Sequence, residues 1–156
     1  MTQENVKGMI ELSSEKKALL IQILKLTKTQ SDLIENEKID DLSIVLVQKE
    51  NLMQEIDILD KKFLSLYNSI KSDEGIDSLE KINIEKYANL KSLKEVVAEI
   101  NSVLNDISII DRNNTIKMKS QVDKIKSDLK QVKQAKRAYK GYNYEPVESM
   151  LIDEKK

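Results

Sequence analysis

The chain has 156 residues, 40% of them hydrophobic and 34% charged, and its 26 basic and 27 acidic side chains nearly cancel, to a net charge of −1. That is the length of one domain, with apolar material for a modest core and too little net charge to force disorder. With no Cys, no His, three Gly and one Pro, the composition excludes disulfides, zinc fingers, haem ligation, Ser-His and Cys-His catalysis and Gly-rich phosphate loops. No apolar run approaches the roughly 20 residues that span a bilayer. The opening Met-Thr-Gln-Glu-Asn lacks the charged-then-apolar pattern of a leader. The expectation is a cytoplasmic chain without enzymatic activity, cofactor, metal site or stable membrane insertion.

Taken in chain order, the first predicted helix covers about residues 3–35. Its apolar positions are Val6, Met9, Ile10, Leu19, Leu20, Ile23, Leu24, Leu33 and Ile34, and the stripe weakens at Ser13 to Lys17 and at Thr27 to Asp32. Glu35-Asn36-Glu37-Lys38 reads as a short turn, which sets the next helix antiparallel to the first. The second helix, 40–71, has the clearest pattern. Leu42, Val45, Lys49, Leu52, Ile56, Leu59, Phe63, Leu66 and Ile70 alternate steps of three and four, with Lys49 the one interruption. Asp40 is the expected N-cap, with Ile39 and Ile44 placed for a hydrophobic staple, and the Ser-Asp-Glu-Gly after Lys71 ends the pattern.

A loop follows over about 72–82, with room for one helical turn at Ser78 to Lys81, and a third helix is predicted over 84–140. Leu90, Leu93, Val97, Ile100, Leu104 and Ile107 repeat the alternation; Asp111 and Asn114 then occupy stripe positions before Met118, Val122, Ile125, Leu129 and Val132 resume it. A turn at Asp111 to Asn114 would give a four-helix bundle, but without Gly or Pro there one continuous helix of about 55 residues is favoured. The two polar residues then read as a register-setting layer, or as a hinge. At about 1.5 Å per residue the first two helices measure near 50 Å and the third near 80 Å. The fold class is therefore all-α, an antiparallel bundle of three long helices whose third extends beyond the first two. Residues 1–140 form one helical domain, and 141–156 a flexible C-terminal tail.

Charge changes along the third helix. Residues 117–140 hold nine basic residues against Asp123 and Asp128, or +7; the tail carries −2, leaving −6 for residues 1–116. The tail places Tyr139, Tyr142 and Tyr144 close together, then Pro146 and the cluster Met150, Leu151, Ile152. Asp40-Asp41 and Asp57 with Asp60 invite comparison with paired catalytic or metal-binding carboxylates, but on amphipathic helices they read as caps and solvated faces. The lysines of 117–140 flank an apolar stripe instead of replacing it, with few aromatics for base stacking, so no nucleic acid partner is expected. The stripe from Met118 to Val132 suits a partner helix; self-association into a homo-oligomer and folding back onto the body are the competing readings.

The order of these features resembles the bacterial flagellar type III export chaperones of the FlgN type. The resemblance rests on Asp40-Asp41-Leu42, Gln48 to Met53 and Ile56 to Leu59 in the second helix. Leu90 to Lys94 and Asp111 to Met118 carry it through the third, and Tyr139 to Tyr144 with Ser149 to Lys156 at the end. It implies a cytosolic chaperone that binds hook-associated proteins of the hook-filament junction, prevents their premature assembly and delivers them to the export gate. By position it implies client contacts at Met118, Val122, Ile125, Leu129 and Val132, with Met150, Leu151 and Ile152 from the tail, and export-gate docking at Tyr139 or Tyr142. The related FliT-type chaperone of the filament cap, and a structural or membrane-surface coiled coil outside the flagellum, are the alternatives.

Overall fold

Leu, Lys, Glu and Gln lose little rotamer freedom in a helix, and the Gly- and Pro-poor stretches they fill are helical in the computed structural model. It describes residues 2–78 and 89–143, with backbone alone for 141–143. The elements are α1 (Thr2–Glu35), α2 (Ile39–Glu74) and α3 (Asn89–Asn143), of 34, 36 and 55 residues. No strand occurs among the described residues. The third helix is the longest and runs unbroken through Asp111 to Asn114. Of the expected turn at Ser78 to Lys81, all but Ser78 lies outside the described residues, as do residues 84–88 and the tail cluster Met150, Leu151 and Ile152.

Both described helix ends close by the same device. After α1, Lys38 N–H donates to Leu33 O at 3.0 Å and Glu37 N–H to Ile34 O at 3.2 Å, with Glu37 left-handed at φ 56°. After α2, Ile76 N–H donates to Lys71 O at 3.0 Å and Gly75 N–H to Ser72 O at 3.3 Å, with Gly75 at φ 64°. These paired bonds satisfy carbonyls that a helix end otherwise leaves open. Ile76 adds the accompanying apolar contact by packing on the core. Two expectations at the start of α2 are corrected. Lys38, without a side-chain bond, holds the N-cap position, so Asp40 falls inside the first turn, where its charge suits the helix dipole. Ile39 and Ile44 are 65% and 58% exposed and make no staple.

The chain divides into two compact units, Met1–Thr115 and Ile116–Lys156. In the first unit, Val6 and Met9 from α1, Ile70 from α2 and Leu90 and Leu93 from α3 form one buried cluster. Leu20 and Ile23, Ile56, and Ile100 and Ile107 form a second. These groupings run α2 antiparallel to α1 and α3, with all three contributing to each cluster. Full burial of such a side chain stabilises by roughly 1.5–3 kcal/mol. The gaps in the α1 stripe are filled in register: Ser13 and Thr27 are buried, 3% and 0% exposed, at the positions the three-four alternation assigns. Lys16, in the same column, pairs with Asp60 of α2 at 2.7 Å, and Lys17 pairs with Glu99 of α3. Gly8 lets α2 come close, since a Cβ there would stand 3.0 Å from Leu66 Cδ1. In the second unit the described residues are the remainder of α3.

Candidate functional site

Stripe positions in a helical bundle face partner helices, so a polar residue there must find a partner or carry an unmet desolvation cost. Each helix of the first unit has such residues at one level. Lys49 Nζ donates to Gln30 Oε1 of α1 at 2.9 Å and to Asp111 Oδ1 of α3 at 3.0 Å. Next to them Asn114 Nδ2 donates to the Thr27 carbonyl at 3.2 Å, and Thr27 Oγ1 returns to the Ile23 carbonyl at 2.7 Å. Asn114 is 2% exposed, and its Oδ1 is buried without a hydrogen-bond partner among the described residues. The interruptions at Lys49, Asp111 and Asn114 thus meet in one polar layer, and α3 stays helical through it. Gln30 and Thr27 belong to that layer too, and the α1 alternation continued from Ile23 through Thr27 to Gln30 would have found them.

In the second unit the expected client-binding residues fall on one side of α3. At 100° per residue, Met118, Val122, Ile125, Leu129 and Val132 lie within roughly 80° of arc. Met118 is partly buried, whereas Val122, Ile125, Leu129 and Val132 are exposed, from 42% at Val122 to 60% at Val132. Tyr139, one of the two expected docking tyrosines, stands seven residues beyond Val132 and is also exposed. Tyr142 lies in α3, with its backbone alone described. A continuous apolar seam on a helix, open to solvent over some three turns from Val122 to Val132, is a surface that another helix can cover.

A second group of exposed apolar side chains was not singled out by periodicity. Ile44, Leu46, Val47, Met53, Ile58 and Leu64 lie on α2, off its buried stripe. Their sequence signal is weak, because single apolar residues on a solvated face are ordinary. Of the carboxylates weighed for chemistry, Asp60 accepts from Lys16. Among the described residues no group of three or more acidic side chains is placed to hold a metal ion, and no helix is long and apolar enough to cross a membrane.

The family model for the FlgN protein matches residues 1–146, all but the last ten of the chain. The chain belongs to the FlgN family. It is thereby a member of a family of flagellar export chaperones. No curated protein and no solved structure matches this FlgN-family chain.

Proposed function

We propose that this FlgN-family chain is a cytoplasmic chaperone of the hook-associated proteins of the hook-filament junction, holding them unassembled and bringing them to the export gate. The observation that carries the reading is the exposure of Val122, Ile125, Leu129 and Val132 on one arc of α3. Proteins that polymerise through amphipathic terminal helices keep those helices from each other only while something covers the apolar face. The seam offers such a cover. Each half-exposed aliphatic side chain newly buried contributes about 1 kcal/mol, enough in sum for specific binding yet compatible with release at export. Met118 opens the seam, and Met150, Leu151 and Ile152 extend the client contact from the tail. Tyr139 or Tyr142 takes the gate contact.

The test is binding of purified hook-filament junction proteins to the full chain and to a Val122→Ser, Ile125→Ser, Leu129→Ser variant, with the filament cap protein as comparator. Binding of a junction protein, weakened about a hundredfold in the variant, is the expected outcome. Preference for the cap protein would keep the mechanism and change the client. Equal binding by variant and parent would remove the seam from client recognition.

A further inference from the structure

The border of the seam is not symmetrical. Read as a heptad, the seam has Val122 and Leu129 at a and Met118, Ile125 and Val132 at d. Lys119, Lys126 and Lys133 then follow each d residue by one, at strict seven-residue intervals, and Lys140 continues the column. Successive members drift by only about 20° around the helix, so they form one edge. All three of the first lysines are exposed. The other border, preceding Val122, Leu129 and Lys136 at the next a position, is Gln121, Asp128 and Ala135, with no cation.

We infer that this lysine column makes the seam selective by charge: it takes a helix whose apolar stripe is bordered by acidic residues, and it rejects the same seam of a second copy. The inference rests on the proposed function insofar as the seam receives a helix; the charge of that helix is the new element. Border positions of a helix pair meet across the interface and set partner choice and orientation. An antiparallel pair of two such seams would set lysine column against lysine column. A parallel pair would set each column against Gln121, Asp128 and Ala135, where a single carboxylate answers three ammonium groups. An acidic-edged helix leaves neither conflict. The seam is also no wider than an a/d stripe, narrower than the apolar face that a surface-lying amphipathic helix presents to lipid.

The experiment uses the full chain and two synthetic helical peptides with the same leucine stripe, one with Glu at every border position and one with Lys. The Glu peptide is expected to bind at least about tenfold tighter, the sum of three ordinary exposed ion pairs. That margin should shrink as salt rises from roughly 0.05 to 0.3 M. The variant K119E/K126E/K133E, which alters exposed positions and should keep its helicity by circular dichroism, is expected to reverse the order. Equal binding of the two peptides, or an order that survives the triple reversal, overturns the inference. If both bind equally but the serine variant of the seam loses both, the seam remains a helix site and only its charge selectivity fails. If neither binds, the helix-binding reading fails and this inference with it. Dimerisation of the parent chain through the seam, or tighter binding to phosphatidylglycerol vesicles than to the Glu peptide, would also overturn it.

Discussion

Within the Lys49–Asp111 pair the two charges stand in unequal surroundings, with side chains 11% and 44% exposed. Water can solvate the aspartate if its partner is removed, but the ammonium is enclosed and would be left with the Gln30 carbonyl as its remaining bond. The two truncations should therefore differ. Asp111→Ala is expected to cost about 1–3 kcal/mol because it strands a nearly buried cation. Lys49→Met, which fills the same space with an apolar chain, should cost less than about 1 kcal/mol or nothing. Urea denaturation of the two variants beside the parent measures both, and equal losses would show that the pair is solvated more evenly than its geometry indicates. Asn114 belongs to the same account: its amide nitrogen is bonded, and its Oδ1 has no partner among the described residues. An apolar residue of its size would avoid the unmet polar atom but would also give up the bond to the Thr27 carbonyl.

At the scale of elements, the two helix ends use one geometry with different residues. Gly75 adopts its left-handed conformation without penalty, while Glu37 holds the same conformation with a Cβ that the neighbouring carbonyl disfavours. Glu37→Gly is expected to raise stability by about 0.5–1 kcal/mol, and Gly75→Ala to lower it by about 1 kcal/mol, since nothing else near Gly75 limits a methyl group. Thermal melts followed at 222 nm would record the opposite shifts. Much of this level was legible in the sequence. The three helices, the turn at Glu35 to Lys38 and the stop before Gly75 all followed from periodicity and Gly placement. The start of α2 did not, because Asp40 is a good cap by residue type while the chain turned two residues earlier. Lys49 and Asp111 were each visible as interruptions, but their meeting was not. It depends on the alignment of two helices that brings together side chains 62 residues apart in sequence, which no local pattern encodes.

Across the whole molecule, one repeat serves two purposes. The apolar face of α3 passes from Ile100 and Ile107, which are buried, to Ile125 and Leu129, which are exposed, with two successive steps of four around Met118 as the one break in the alternation. Periodicity reports which face of a helix is apolar; burial depends on whether another helix lies against that face, and the helix lengths left an open seam and one folded back as the two readings. Both buried clusters and the polar layer lie within residues 1–115. A chain ended after Thr115 is therefore expected to unfold cooperatively, with stability within about 2 kcal/mol of the full protein, while failing to bind a junction protein. Loss of cooperative unfolding would mean that residues 1–115 depend on the rest of the chain for their fold.

The polar layer has a mechanical consequence for how this bundle finds its alignment. Three helices with uniform aliphatic seams fit almost equally well at several positions along their length, each one heptad, or about 10.5 Å, from the next. Here a slip of one heptad in α2 would carry the Lys49 ammonium away from Gln30 and Asp111 and into aliphatic surroundings, creating an unpaired charge in an apolar setting. Such a layer would act as a detent, favouring this stop over those a heptad away.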